Sequence, residues 1–365
     1  MVPAAALVVV ALCFYLARRR WPYQRSSRAT APQLNRSDLI PAFKRAIKQA
    51  GGADVWITSA AAQHGRGPSS AGKSFEVWVS SAVYARVLES VESQAKRMQL
   101  SLAIDRPKHS GVLRTDRVQL AFQGRPLLDF RVDEIRRMMR VAIIVDDLGQ
   151  NLPAARALSR MRSAITFSVM PHLRYSWQTA DTAHDAGKEV MLHLPMQPIR
   201  DSAPDISRDE LRVGMRSAEV SHIVEHDLST VPFVTGVNNH MGSRATTDTS
   251  LMKDLMRILA ARHLYFIDSR TTPQSVAIRV ARQSQVLSFY RSVFLDDKRT
   301  VPYTLNQLQK LCRIAAETGS ALAIGHPYPS TIEALAQFLP KLESRGIQLV
   351  PASRLVRRWK AGPER

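Results

Sequence analysis

Cysteine is nearly absent from this chain of 365 residues. Only Cys13 and Cys312 occur, and they do not form a CxxC spacing. We therefore expect no disulfide framework. The count fits a reducing or an oxidising compartment equally well, because a large hydrophobic core does not need covalent cross-links.

Acidic residues are scarce relative to basic ones. Lys and Arg number 51 against 31 Asp and Glu, which gives a formal net charge of +20. This excess favours contact with polyanions such as acidic lipid head groups, anionic envelope polymers or nucleic acid. The sequence contains no zinc-finger spacing, RNP-like aromatic strand or convincing recognition helix, so nucleic acid is not an expected partner.

Long apolar runs are also missing, except at the N-terminus. Val2–Ala17 is almost continuously apolar and is followed by Arg18, Arg19 and Arg20, then by Trp21, which suits a membrane interface. A basic segment before this run and a small-residue cleavage site after it are both lacking, which argues against a cleaved signal peptide. We predict a single-pass membrane anchor at residues 1–21 and a linker at 22–37; a buried N-terminal helix is the alternative.

The charges beside this anchor conflict with the orientation that we expect for it. The positive-inside rule would keep the Arg cluster, and with it the rest of the chain, in the cytoplasm. An incorrectly assigned start codon that removed an upstream basic segment would allow the opposite orientation. We expect the C-terminal domain on the periplasmic side of the membrane.

Two folded units are expected after the linker. Residues 38–133 show a helix, a strand and then mixed strand and helix patterns, which predicts a small α+β domain without a catalytic constellation. Residues 140–356 instead alternate short apolar strands with amphipathic helices. The predicted strands are Val141–Val145, Ile165–Val169, Glu189–Leu192, Phe233–Val237, Leu264–Ile267, Val286–Phe289, Ala321–Ile324 and Ile347–Val350. This alternation predicts parallel strands and a seven- or eight-stranded (β/α) barrel.

Chemically versatile side chains follow five of these strands. They are Asp146, Asp147, His193, Asn238, Asn239, His240, Asp268 and His326. In a parallel barrel the C-terminal strand ends share one face, where active sites are built from separate loops. We therefore expect these residues to converge although they are far apart in the chain.

Five segments resemble, in the correct order, the motifs of divergent polysaccharide deacetylases. They are VAIIVDDLG (141–149), GKEVMLHLPMQP (187–198), GVNNHMGSR (236–244), FIDSRT (266–271) and AIGHP (323–327). The resemblance implies a deacetylase-type barrel that hydrolyses acetyl groups with the help of a divalent metal, with zinc as the expected ion.

The resemblance also implies roles for the metal site. Asp146 would be the general base, and Asp147 and His193 would be metal ligands. In typical deacetylases a second histidine follows four positions after the first, but Gln197 occupies that position here. A neutral amide is a poor ligand for zinc, so we take His240 as the replacement.

The remaining roles are less constrained. His326 resembles the histidine that protonates the leaving group, and Asp268 could orient a neighbouring imidazole. Asn238, Asn239 and Gln197 are candidates for substrate binding. Each residue has a structural alternative: a strand-terminating turn, a helix cap, or a buried histidine bonded to the backbone.

Two further patterns are interpreted as surface features. His222 and His226 are four residues apart on a predicted helix, but neighbouring acidic residues indicate a solvated face rather than a metal site. Asp296–Asp297 precedes Lys298 and Arg299, which predicts a charged turn, although contact with the site from a loop stays open.

The sequence therefore predicts a metal-dependent deacetylase that acts on a cell-envelope or extracellular polysaccharide. The substitution at Gln197 motivates an alternative, a catalytically inactive glycan-binding or envelope scaffold. A metal-dependent hydrolase of another substrate class on the same barrel is a third reading, because fold does not fix function.

Overall fold

A computed structural model describes residues 36–59, 75–106, 113–136, 138–199, 209–342 and 346–357. The predicted anchor at residues 1–21 and nearly all of the linker at 22–37 lie outside these ranges. Within them, no helix combines the length and apolar character that a membrane crossing requires.

The first unit is a five-stranded sheet covered by two helices. Its elements are α1 (Arg36–Gly51), β1 (Val55–Ser59), β2 (Phe75–Ser80), α2 (Ser81–Arg97), β3 (Ser101–Asp105), β4 (Leu113–Phe122) and β5 (Arg125–Ile135). The strand order is β1-β2-β5-β4-β3, with only the β2–β5 pair parallel. Apolar residues of both helices and the sheet form one core, in which the Phe75 and Phe130 rings stack 4.5 Å apart. That this unit is an independent domain stays a prediction.

The second unit is a curled parallel sheet surrounded by helices. Its strands are β6 (Met139–Leu148), β7 (Thr166–Val169), β8 (Glu189–Met196), β9 (Val234–Met241), β10 (Tyr265–Asp268), β11 (Ser288–Tyr290), β12 (Val293–Phe294), β13 (Ser320–Gly325) and β14 (Ile347–Leu349). Its helices are α3 (Leu152–Ser159), α4 (Ser176–Asp185), α5 (Ser217–Thr230), α6 (Thr249–Ala261), α7 (Ala277–Gln283), α8 (Val301–Thr318) and α9 (Pro329–Phe338).

Eight of these strands follow one another around the sheet in the order β11-β10-β9-β8-β7-β6-β13-β12, and β14 pairs with β6. Every one of these ladders is parallel. The predicted alternation of strands and helices is confirmed. The sequence did not reveal β12, because two residues are too short to show a periodic pattern.

Both faces of this sheet are buried, and they pack into different clusters. Val141, Ile143 and Val145 of β6 belong to the core shared with the helices. Ala142 and Ile144 belong to the barrel interior, together with Met191, Ile267, Leu322 and Ile324. Successive side chains of a strand point to opposite faces. The assignment of residues to the two clusters therefore shows which side chains near the end of each strand point into the barrel interior.

Gly236 keeps the interior of β9 open for an aromatic ring. A Cβ atom at this position would lie 2.4 Å from the Tyr265 ring on β10, the neighbouring strand. Any larger side chain would therefore collide with this ring. The first residue of the GVNNHMGSR motif is thus explained by packing rather than by chemistry.

Candidate metal centre and active site

The interior rows of four strands end in polar side chains. On β6, Asp146 follows Ala142 and Ile144 at intervals of two, and on β8 His193 follows Met191. By the same alternation, Asn238 and His240 on β9 and His326 just beyond β13 also lie on the interior face. The structure therefore brings these residues together at the C-terminal strand ends, as their positions predicted.

Asp147 would point away from this site if β6 were regular. Its backbone φ is 55°, in the left-handed region, and the register between β6 and β7 shifts between Val145 and Leu148. Such an irregularity turns a side chain away from the strict alternation of a strand. Asp tolerates this region better than most residues, so two consecutive carboxylates can face one site.

Asp147, His193 and His240 form a compact group of potential metal ligands. Asp147 Oδ1 lies 3.2 Å from His193 Nε2 and 3.0 Å from His240 Nδ1, and the two ring nitrogens are 3.1 Å apart. Ligands bound at about 2.0–2.2 Å to one tetrahedral zinc ion lie roughly 3.3–3.6 Å apart. The three atoms are therefore spaced almost as one face of such a site.

The bonding of these atoms also fits a cation. Asp147 Oδ1 is buried, yet it has no hydrogen bond of acceptable geometry to either imidazole. The donor set of two imidazole nitrogens and one carboxylate oxygen is a familiar one for zinc. The residues present thus fit the divalent metal that the sequence led us to expect.

Asn238 fixes the orientation of His193 and Asp146. Its Oδ1 is 3.0 Å from His193 Nδ1 and accepts a hydrogen bond of 2.6 Å from Ser168 Oγ, while its Nδ2 donates to Asp146 Oδ1 at 2.9 Å. An amide oxygen is only an acceptor, so it assigns the proton to His193 Nδ1. The lone pair of Nε2 is then directed at the candidate metal position.

The electrostatics of the site favour positive charge. Burial by itself lowers the pKa of His193, but the charges of Asp146 and Asp147 outweigh it and raise that pKa to about 9. Burial of Asp147 is likewise outweighed by its two imidazole neighbours, which hold its pKa far below the usual range. Two carboxylates at a largely buried site thus stabilise any cation placed between them.

His326 lies on the other side of Asp147 and has its own carboxylate. Its Nε2 is 3.6 Å from Asp147 Oδ2, and its Nδ1 is 3.0 Å from Asp296 Oδ1. Asp296 Oδ2 also accepts hydrogen bonds from the His326 backbone N–H and from Thr331 Oγ1. Burial lowers the pKa of His326, but the hydrogen bond to Asp296 and the charge of Asp147 raise it overall.

The imidazole-orienting role predicted for Asp268 belongs, in the structure, to Asp296. Ile267 faces the barrel interior, so Asp268 points to the opposite face, where it accepts hydrogen bonds from Arg270 N and Ser275 Oγ. For Asp296 the charged-turn interpretation is wrong, and the contact with the site from a loop, which the sequence left open, is confirmed. The signal in the sequence was a second Asp-Asp pair after an apolar segment, like the pair at Asp146.

Asn239 and Gln197 have internal partners. Asn239 alternates away from Asn238; its Oδ1 accepts from Ser269 N and its Nδ2 donates to Met241 O. Gln197 Oε1 accepts a hydrogen bond from Val213 N. A substrate-binding role for Asn238, Asn239 and Gln197 stays a prediction, because these hydrogen bonds connect the protein to itself.

Comparison with known proteins identifies the family. The sequence model of a protein family described as divergent polysaccharide deacetylase matches residues 143–356 of the chain. The chain belongs to the divergent polysaccharide deacetylase family. This confirms the resemblance in the motifs, and it places the barrel, but not residues 38–133, within the family match.

Two relatives and one solved structure are each similar to about 60% of this chain. An uncharacterized protein of Haemophilus influenzae is 38% identical over 224 residues, which cover 61% of this chain and 79% of that protein. The uncharacterized protein YibQ of Escherichia coli is 36% identical over 217 residues, covering 60% and 67%. A solved structure of an uncharacterized Agrobacterium tumefaciens protein superimposes with a TM-score of 0.58 at 25% identity, covering 60% of this chain and 90% of that one.

Proposed function

We propose that this protein is a metal-dependent hydrolase that removes acetyl groups from a cell-envelope or extracellular polysaccharide. The observation that carries this proposal is the convergence of Asp147, His193 and His240 within 3.0–3.2 Å of one another. A second carboxylate, Asp146, and a third imidazole, His326, adjoin the same group.

The protein's own residues divide the chemistry. Asp147, His193 and His240 would hold the divalent ion, which polarises an acyl carbonyl and acidifies water when bound. Asp146 takes the proton of the attacking water, because Asn238 occupies only its Oδ1 and its Oδ2 lies 3.6 Å from His193 Nε2, one of the proposed ligand atoms. His326 donates a proton to the departing amine or alkoxide, and Asp296 holds its ring.

A carbohydrate substrate is supported by the family and by planar groups beside His326. The Tyr328 ring lies 5.5 Å from the His326 ring, and the Arg299 guanidinium packs over Tyr328 at 4.0 Å. Flat aromatic and guanidinium surfaces combined with hydrogen-bond donors suit a polar ligand that also has apolar faces.

The inactive-scaffold alternative rests on Gln197, which replaces the second histidine of typical deacetylases. The position of His240 weakens that argument, because this imidazole of the next strand, β9, would supply the third ligand. An activity measurement separates the two functions, since a scaffold would bind the metal or the glycan without releasing acetate.

The His240→Ala variant tests the metal centre. We expect the wild-type chain to release acetate from an acetylated chito-oligosaccharide in a zinc-dependent manner. The variant should lose most of the zinc at this centre, because one of three ligands is missing. Zinc content by elemental analysis and acetate release are the measurements.

His263→Ala is the matched control, because this histidine lies two residues after the end of α6 and is exposed. Full zinc occupancy of the Asp147–His193–His240 centre in His240→Ala would remove His240 from the ligand set. Wild-type protein that holds zinc but releases no acetate from any acetylated glycan would favour the scaffold.

Membrane attachment and a periplasmic barrel are part of the same proposal. The support is the apolar run Val2–Ala17 with its flanking Arg and aromatic residues. We expect the whole chain to fractionate with membranes and a chain lacking residues 1–35 to be released. Sedimentation after carbonate extraction measures this, and release of the whole chain without detergent would contradict the anchor. Protease accessibility of the barrel in spheroplasts tests its side of the membrane.

A further inference from the structure

A second group of potential metal ligands lies outside the proposed active site. One ligand atom each from His172, Asp209 and His226 lies within 4.8 Å of the others. His172 is in the loop after β7, Asp209 precedes the segment that pairs with β8, and His226 is on α5. Asp209 Oδ2 is 3.7 Å from His226 Nδ1, and the two imidazole rings are 4.4 Å apart.

A buried carboxylate behind this group orients one of its imidazoles. The side chain of Asp227 is 0% exposed, and its Oδ1 lies 2.7 Å from His172 Nε2. Its second oxygen, Oδ2, is buried without a hydrogen-bond partner. A carboxylate on one ring nitrogen fixes the proton there and leaves the other nitrogen, here Nδ1, free to bind a metal.

The negative charges of this group favour the binding of a cation. Among the ion pairs of the described residues, Asp209 and Asp227 are paired with His226 and His172, and with no lysine or arginine. Within this group the two carboxylates therefore meet without a lysine or arginine beside them. A divalent ion would neutralise them, and two nitrogens with one carboxylate oxygen are the ligands that zinc prefers.

We propose that His172, Asp209 and His226 bind a second divalent ion of the zinc type, with Asp227 as the carboxylate that orients His172. Water completes the coordination, because His226 and Asp209 are partly exposed. The pair His222–His226, which the sequence singled out, is not this site: His222 is not in the ligand group.

The second ion would connect the surface to the rim of the active site. Asp209 leads directly into Leu211, whose N–H donates to Pro195 O and whose carbonyl accepts from Gln197 N. Val213 N in turn donates to Gln197 Oε1. An ion that holds Asp209 against α5 therefore fixes the segment that pairs with the end of β8, just beyond His193.

Zinc stoichiometry of the tag-free full chain tests this inference. The chain is stripped with a chelator, titrated with Zn²⁺ alone, separated from free metal and analysed for bound zinc. We expect two ions per wild-type chain, one in His226→Ala, one in His193→Ala and none in the double variant. The matched control is His222→Ala, on the same helix, which should retain both ions.

Asp227→Asn should keep the second ion but weaken its affinity by roughly 10- to 100-fold, since it removes only the orienting carboxylate. His226→Gln and Asp209→Asn replace His226→Ala if that variant does not fold, as judged by circular dichroism. Zinc binding by His226→Ala, or by these substitutes, that matches His222→Ala in number and affinity would overturn the second site. Loss of zinc in His226→Ala but not in His193→Ala would support it while contradicting the first metal centre.

Discussion

Asp146→Asn should lower kcat/KM on an acetylated chito-oligosaccharide by about a hundred-fold to ten-thousand-fold, the usual contribution of a general base. This corresponds to roughly 3–5 kcal/mol of transition-state stabilisation. The substitution keeps the size of the side chain and an oxygen that can accept the hydrogen bond from Asn238 Nδ2. It removes the group that takes a proton from water but leaves the three proposed ligands in place, so the protein should still bind the ion and its melting temperature should change little.

Asp297→Asn is the matched control for this variant. It makes the same chemical change in the second residue of the other Asp-Asp pair, at an exposed side chain that accepts a hydrogen bond from Tyr303 OH. We expect its kcat/KM to stay within a small factor of the wild-type value. Comparable losses in both variants would show that Asp146 acts only through the net charge of the site.

His326→Ala should lose activity in a way that depends on the leaving group. On the chito-oligosaccharide, whose amine leaves poorly without a proton, we expect a loss of about a hundred-fold to ten-thousand-fold. On an activated aryl acetate, whose phenolate leaves unaided, His326→Ala should recover much of the activity. Asp146→Asn should be impaired on both substrates, because each reaction still needs an activated water. Equal losses of His326→Ala on the two substrates would contradict its role as the acid.

The pH dependence of the same reaction tests Asp296 as a positioning residue. Asp296 and the charge of Asp147 raise the pKa of His326 against the effect of burial, so the imidazole keeps its proton to higher pH. The acid form is the active one, and activity on the chito-oligosaccharide should therefore fall as pH rises through that pKa. Asp296→Asn should move this alkaline limb to lower pH, and an unchanged limb would assign Asp296 a purely structural role.

The convergence of the site residues could be predicted because parallel strands end on a common face. His193 and His240 needed only the strand boundaries and the family motifs, whereas Asp147 needed the motif, because strict alternation would turn it away from the site. The apolar residues of each strand could also have been used to assign its interior face. Strict alternation would then have predicted that Asn238 and Asn239 point to opposite faces and that Asp268 points away from the imidazoles. The sequence contained that information in Met191, Ile267 and Ile324, which face the interior.

Other features depended on contacts that no local pattern encodes. The left-handed backbone of Asp147 breaks the alternation at the residue where the site needs a second carboxylate. Asp296 reaches His326 across 30 positions of sequence from just beyond a strand of two residues. His172, Asp209 and His226 come from three separate segments, and only the tertiary structure shows that they meet.

Asn238 makes the two halves of the active site energetically dependent on each other. One amide bonds to the proposed base, Asp146, and to the proposed ligand, His193. Residues that share a hydrogen-bonding partner generally show interaction energies of about 0.5–3 kcal/mol rather than additive effects. Substitutions at Asp146 and His193 should therefore be epistatic, and a change at either position alters the background in which the other is selected. In this barrel the base and the ligand would evolve as one unit, with a neutral amide as the residue that couples them.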